Sequence, residues 1–315
     1  MSLSIDVVIP THGGWELTRS CLEHLQRQTR THTIIVADNA STDGTPERLR
    51  SAFPDARLVE LDGNRGFAIA CNRGARAGDG EVVVLLNNDV DCPPDFLEHL
   101  VAPLLDDDRI GSVTAVLVRP DGRAIDSVGL TADVTLAGFP RLRGRPVGEA
   151  RSARPVLTGP AGAAGAYRRT AWEQVGGLDE GVFMYGEDLE LALRLQAAGW
   201  ATALAADAVA VHLGSASIRA RSARQRYHGG FARGYFVRRY GVLRSRAAAR
   251  TLATEVIVVA GDAVLSRDLS ALRGRVAGWR GAAGLPRQVP PPRDAVEERI
   301  SFRESLRLRR QVYAG

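Results

Sequence analysis

Residues 82–96 read VVVLLNNDVDCPPDF. The apolar run from Val82 to Leu86 is too short for a helix and rich in β-branched Val, so it predicts a strand buried on both faces. It ends in Asn87, Asn88, Asp89 and Asp91, and Pro93 with Pro94 stiffens the exit. Two carboxylates at a strand tip suit a hard divalent cation bound through oxygen, with diphosphate oxygens completing its shell. A strand running into a solvated turn uses the same residue types, so the surrounding chain has to decide.

On either side, β-rich runs alternate with helical patterns. Ile5 to Ile9, Thr33 to Ala37, Leu58 to Leu61 and Ile110 to Val118 read as strands. Leu17, Cys21 and Leu25 recur at helical spacing. Pro46 to Phe53, Phe67 to Ala77 and Phe96 to Leu105 also read as helices. The alternation predicts an α/β protein with a mostly parallel central sheet and helices on both faces. In such sheets ligands sit at the carboxyl ends of the strands. There the chain places PTHGG (10–14), DNASTDGT (38–45), DGNRGFA (62–68) and NNDVD (87–91). One loop rich in Asp, Asn and Gly is a turn; four on one edge describe a site.

Residues 120–158 are Gly-, Pro- and Arg-rich with weak periodicity, which predicts an irregular excursion with room for a hairpin. Further on, Leu189, Leu193 and Gln196 keep helical spacing in YGEDLELALR (185–194) and beyond, and 201–205 and 208–211 read as two short strands. Acids in a first helical turn complement the helix dipole, and Glu190 can pair with Arg194. A carboxylate at that place also suits a general base. His212 ends an apolar strand, where imidazole is either a hydrogen-bonded structural group or, beside Asp89, a metal ligand.

Of the 315 residues 41 are Arg and none is Lys. Residues 1–214 hold 20 Arg against 29 acids and residues 215–315 hold 21 Arg against 7, so the charge runs from −9 to +14. Arg219 to Arg250 contains ten Arg and no acid. It predicts either a solvated basic face, able to dock an anionic membrane surface, or a helical cap whose interleaved aromatics are core. No apolar run reaches the roughly 20 residues a bilayer demands. The start carries no basic, apolar leader, and three scattered cysteines suggest no disulfide framework. A cytoplasmic protein, peripheral on the inner membrane face, is expected.

Six motifs in order, VVIPTHGG, VADNASTDGT, NRGFAIACNRG, LLNNDV, GAYRRTAWEQVGGLDEGVFMYGEDLELALRLQAAGW and VHLGSAS, resemble the family-two inverting glycosyltransferases of GT-A fold, nearest the bacterial rhamnosyltransferase-like subgroup. The likeness covers roughly residues 4–240. It implies a GT-A catalytic domain over 1–218, a basic helical extension over 219–284, and a Pro-rich linker with a terminal helix over 285–315. It further implies that Pro10 and Thr11 line a nucleotide pocket, that Asp38 contacts the base or ribose with Asp43 in the same nucleotide-binding loop, and that Asn64, Gly66 and Phe67 pack beside the nucleotide. Asn88 and Asp89 fall on the metal motif, His212 on a metal-completing position and Asp188 on the catalytic base. The family motif is often a longer run of acids, so Asp89 is the firm ligand, with Asp91 a second option. Glu190 stands where many relatives have Asp; Glu187 is left as a rival base or an acceptor-positioning group. The cofactor implied is Mg²⁺ or Mn²⁺. The donor is a nucleoside-diphosphate sugar, dTDP-rhamnose favoured over UDP- and GDP-sugars. The acceptor is a glycan or polyprenyl-diphosphate-linked glycan.

Other enzyme classes fit less well. A dinucleotide oxidoreductase needs G-x-G-x-x-G after the first strand, and PTHGG is not that. A pyrophosphorylase would open on a Gly-rich, basic phosphate loop. A non-catalytic binding relative would have little use for Asp89, Asp188 and His212 together. No nucleic-acid motif accompanies the basic segment.

Overall fold

The computed structural model describes residues 3–214 and 222–312. Strands and helices alternate through its first part: β1 (Ile5–Thr11), α1 (Trp15–Gln26), β2 (Thr33–Asp38), α2 (Thr45–Ala52), β3 (Arg57–Glu60), α3 (Phe67–Arg76) and β4 (Val82–Leu86). Every residue of β4 is buried. Each such side chain contributes about 1.5–3 kcal/mol by leaving water. β4 lies between β1, parallel to it, and a later strand, β10 (Ala164–Arg168), antiparallel to it. With β2 and β3 added in parallel, the four polar loops converge on one edge.

Next come β5 (Val90–Asp91), α4 (Phe96–Asp106), β6 (Ile110–Val118), β7 (Ile125–Ser127) and a separate hairpin of β8 (Leu130–Ala132) and β9 (Gly138–Pro140). After β10 follow α5 (Arg169–Val175), α6 (Glu187–Ala197) and β11 (Ala201–His212). The order across the main sheet is β3-β2-β1-β4-β10-β6-β11-β5, with β7 on β6. One half of the sheet is parallel. The other is mixed, because β10 runs against both neighbours. One core forms beneath α1, α2 and α4, and a second beneath α3, α5 and α6.

Two details depart from the sequence pattern. β10 lies in a Gly/Ala-rich stretch, TGPAGAAGAYRR (158–169), that is not among the strands the sequence predicts. Small residues are required here: a Cβ on Gly159 would come within 2.2 Å of Ala192 on α6, and one on Gly165 within 2.7 Å of Pro160. β11 is one strand rather than two; the break is a register irregularity between Leu204 and Val209.

The described C-terminal helices are α7 (Ala223–Arg239), α8 (Ala248–Ser266), α9 (Ser270–Gly281) and α10 (Phe302–Val312). Tyr235, Phe236 and Val237 on α7 join Leu189 and Leu193 of α6 and Leu130 and Leu136 of the hairpin in a third core. Residues 285–301 form a strap rather than a free linker: Glu297 N–H donates to the Ala132 carbonyl and Gln288 N–H to that of Arg239. Helices α7 and α9 cross at backbone distance, through Gly230 and Gly234 on one and Gly274 and Gly278 on the other. A Cβ on Gly234 would lie 2.0 Å from the Arg275 carbonyl oxygen. Gly234→Val is therefore expected to destabilise the protein by about 1–3 kcal/mol or more, as overpacking does. Gly261→Val, with nothing within 4 Å of its Cβ, should be near neutral. Denaturant midpoints read the difference.

Candidate active site

Beyond β4 the chain turns, Val90 N–H reaching back to the Asn87 carbonyl at 3.3 Å. β5 then pairs with the end of β11, setting His212 opposite Val90, and Leu213 N–H donates to the Asp89 carbonyl. This register brings His212 Nε2 to 3.5 Å from Asp89 Oδ1. The other ring nitrogen lies 2.8 Å from Asp126 Oδ2 on β7, and Arg143 stands 3.5 Å from the same carboxylate. Burial works against a charged imidazole, but the carboxylates of Asp126 and Asp89 prevail and lift His212 to about 9. Asp126 was not visible in the sequence; nothing in its Gly- and Arg-rich surroundings marks it. A carboxylate behind an imidazole is the arrangement that orients metal-binding histidines.

The loop before α6 brings the second pair of acids. Tyr185 and Gly186 both take left-handed backbone, at φ 67° and 87°, and α6 begins at Glu187. Asp188 Oδ2 accepts from Gly162 N–H at 2.9 Å, and Oδ1 from Leu189 N–H at 2.7 Å. Glu187 is 6% exposed and its Oε2 has no partner. Burial, then the neighbouring Asp188 charge, raises Glu187 to about 8. Burial also raises Asp188, but its two N–H donors hold it back. The environments thus separate the pair, Asp188 ionising first and Glu187 keeping its proton at neutral pH.

A linkage prediction follows. Unfolded, Glu187 ionises near its ordinary value of 4.5; folded, it stays protonated to about 8. Between those limits the folded chain holds the extra proton, so this group's contribution to stability falls as pH rises. Glu187→Gln should flatten that decline and leave the variant more stable than the parent at pH 8.5, by on the order of 2–4 kcal/mol. Urea unfolding at pH 5 and 8.5 measures it.

Both sites open into one cavity of about 510 Å³. Of the residues singled out from sequence, Pro10, Phe67, Asn88, Asp89, Glu187, Asp188 and His212 line it. Three buried side-chain oxygens and one nitrogen of its lining make no hydrogen bond: Asn87 Oδ1, Asp89 Oδ1, which has His212 Nε2 at 3.5 Å, Glu187 Oε2 and Arg233 Nη2. Thr11 and Asn88 meet at its rim, both bonded to Thr18. Asp38, Asp43, Asn64 and Gly66 stand back from it and shape the adjoining loops. Asp38 accepts from Ser41, and Asp43 from Gly14 N–H and the Thr45 hydroxyl. Asn64 accepts from Gly66 N–H and from Asn39, which ties the β2 and β3 loops together. Gly66 fits because a Cβ would lie 2.5 Å from the Phe183 carbonyl. Asp91 is not brought to the site. It faces α1, accepting from Ser20 at 3.2 Å and lying 3.5 Å from His24. Glu190 is wholly buried on Arg194, a structural ion pair.

The basic segment is not a continuous outward face. Arg219 and Arg221 lie outside the described residues. Arg226 pairs with Asp262 and Asp268, Arg233 with Glu255 and Arg239 with Asp179. Arg250 stands 3.5 Å from Asp133. Arg224, Arg244 and Arg246 are exposed. Among the aromatics, Tyr235, Phe236 and Tyr240 are core.

Residues 6–176 match the family model described as Glycosyl transferase family 2. The chain belongs to glycosyl transferase family 2. It is 31% identical over 205 residues to the N-acetylglucosaminyl-diphospho-decaprenol L-rhamnosyltransferase of Mycobacterium tuberculosis, a match spanning 57% of this chain and 66% of that protein's own length. Solved structures share the architecture. GalNAc-T7 with UDP, GalNAc and Mn²⁺ aligns at a TM-score of 0.60 and 16% identity, over 81% of this chain and 50% of that one. The mannosyltransferase PcManGT of Pyrobaculum calidifontis, in complex with GDP-Man and Mn²⁺, aligns at 0.54 and 21%, over 89% and 85%. The fold is GT-A.

Proposed function

We propose that this chain is an inverting glycosyltransferase that moves a sugar, rhamnose first, from a nucleoside diphosphate to a hydroxyl of a glycan or polyprenyl-diphosphate-linked glycan. The observation that carries this is the shared cavity, with buried oxygens of Asn87, Asp89 and Glu187 that make no hydrogen bond gathered around it beside Asp188. Leaving such groups unpaired is costly unless a ligand satisfies them. The family match supports the reaction class, and the mycobacterial relative's name supports the sugar and acceptor.

In this proposal Asp188, ionised and held by Gly162 and Leu189 N–H groups, takes the proton of the acceptor hydroxyl while its oxygen attacks the anomeric carbon. The bond to the diphosphate breaks as the new one forms, and one displacement inverts the centre. Glu187, still protonated, donates a hydrogen bond to the acceptor. Asp89 and His212, with Asp126 behind the imidazole, would hold Mg²⁺ or Mn²⁺. The residues fit in their donor chemistry: Asp89 Oδ1 is buried with His212 Nε2 3.5 Å away, and the imidazole would give up its extra proton on taking the ion. Such an ion supplies Lewis-acid stabilisation of the leaving diphosphate. Pro10, Thr11 and Asn88 would flank the diphosphate; Asp38 and the loops bearing Asp43, Asn64, Gly66 and Phe67 would receive the nucleoside. Because α7 to α10 also line the cavity, these four helices belong to the working unit.

Among the described residues no helix is long and apolar enough to cross a membrane. Docking on the anionic cytoplasmic face is proposed instead through α8 and α9. Leu252, Val256, Val264, Leu265 and Leu272 are exposed there, with Arg267 and Arg273 beside them. Asp262 and Asp268, the acids nearby, are paired with Arg226. Apolar side chains rimmed by arginine suit an anionic lipid surface. Flotation with anionic vesicles should be lost in Val264→Asp/Leu265→Asp. Self-association of the lipid-free protein with no flotation would contradict it.

The transferase proposal itself is tested by thermal shifts against dTDP-, UDP- and GDP-sugars. A true donor should stabilise the chain only with Mg²⁺ or Mn²⁺, by about 2.7 kcal/mol at a hundred times Kd, and slowly release nucleoside diphosphate. Stabilisation without any release would leave a binding protein.

A further inference from the structure

Glu255 on α8 sits at the centre of three arginines from three other helices. Arg233 of α7 donates to it at 2.6 Å, Arg275 of α9 at 2.7 Å and Arg309 of α10 at 2.8 Å. Arg250 stands 3.5 Å from Asp133, which is wholly buried and also bonded to Thr135 and Ser305. Four cations thus share two carboxylates. Arg233 is 8% and Arg309 6% exposed. Surplus buried charge is expensive unless a counter-ion meets it.

The place where that counter-ion would go is present. Arg233, Arg275 and Arg309 all line the cavity that holds Asp89 and Asp188, on the wall formed by the C-terminal helices. Arg233 already uses two of its nitrogens, one on Glu255 and one on the Leu136 carbonyl, and its Nη2 is buried with no partner. Planar guanidinium groups suit phosphate, which takes two parallel donors at once. The wall is carried by α7, α9 and α10, whereas Asp89 follows β4 and His212 ends β11, where the donor's diphosphate is proposed to lie.

We propose that the Arg233–Arg275–Arg309 wall is a second anion site, which binds the phosphate of a diphosphate-linked acceptor and so sets which glycans reach Asp188. This deepens the transferase proposal by assigning the acceptor an anionic handle, read inside the cavity rather than on the outer basic face. Glu255 keeps the three arginines in place without neutralising them.

Inorganic pyrophosphate, titrated into the full chain with EDTA present to exclude the metal-dependent site, tests this directly. Arg233→Gln and Arg275→Gln should each weaken binding about tenfold or more, as loss of a charge-assisted pair does, and Arg233→Lys by less. Glu255→Gln should bind pyrophosphate more tightly than the parent although it removes a carboxylate from the core, an outcome a purely structural network would not give. Equal affinity in the parent and both Gln variants, each folded by circular dichroism, overturns the site. In transfer assays Arg233→Gln should raise KM for a diphosphate-linked acceptor far more than for the same glycan without phosphate. Equal changes for both acceptors would overturn the acceptor assignment and leave a site for free diphosphate. Donor hydrolysis by the unaltered protein reads the transferase proposal separately: pyrophosphate binding through Arg233 in a chain that hydrolyses no sugar nucleotide would sink that proposal and not the anion site.

Discussion

Asp188→Asn is expected to leave donor affinity within about twofold and to lower transfer by roughly 10²–10⁴-fold, the range a positioned general base supplies. The substitution is nearly isosteric. The amide oxygen can keep one of the two N–H donors, Gly162 or Leu189, and its NH2 then faces the other, so folding of the variant is checked by circular dichroism alongside the kinetics. What is lost is a basic oxygen at the cavity. Glu187 should not fully substitute for it, because burial, the larger cause of its raised value, remains when the Asp188 charge is gone. Transfer by the parent should therefore rise with pH as Asp188 ionises and fall again as Glu187 loses its proton. In Glu187→Gln the alkaline fall should disappear. Steady-state kinetics of the three proteins, with donor affinity measured separately, check this.

Asp89→Asn should fail differently. The Asp89 backbone carbonyl still receives Leu213 N–H, so β5 and β11 stay paired. The carboxylate's charged neighbour is His212, which keeps its bond with Asp126, so removing the Asp89 charge should cost little stability. Metal-dependent donor binding should disappear, and transfer should drop on the order of 10³-fold as several kcal/mol of leaving-group stabilisation goes. Asp91→Asn is the contrast. Its bonds are to Ser20 and α1, so metal dependence should be kept. Titrating Mn²⁺ against donor binding in both variants separates two acids that are two residues apart in sequence.

Much of this site was legible in the chain, and for physical reasons. A five-residue apolar run has few places to go but the centre of a sheet, so the loop after it had to sit at the strand ends. Glu190 and Arg194, four apart on one helix, were readable as a pair because the helix itself sets their distance. Partners brought by tertiary structure were not. Asp126 reaches His212 only because β7 pairs with β6 and β6 with β11. The choice between Asp89 and Asp91 turned on the bend at 87–90, which sends one carboxylate to the cavity and the other to α1. The ten arginines from 219 to 250 left a basic face and a helical cap both open, because sequence shows charge and not its partner. The acids that absorb it, Asp133, Asp179, Glu255, Asp262 and Asp268, come from elsewhere in the chain. β10 was hidden because Ala-Gly-Ala carries no β-branched signature, and close packing on Pro160 demanded those small residues.

The central claim is a single displacement at one cavity shared by Asp89 and Asp188. Proton NMR of the product glycoside, compared with the donor, reads it most directly. The account predicts that the transferred sugar carries the opposite anomeric configuration, formed only with divalent metal present. A product that keeps the donor's configuration would require a second displacement, and this account would be wrong.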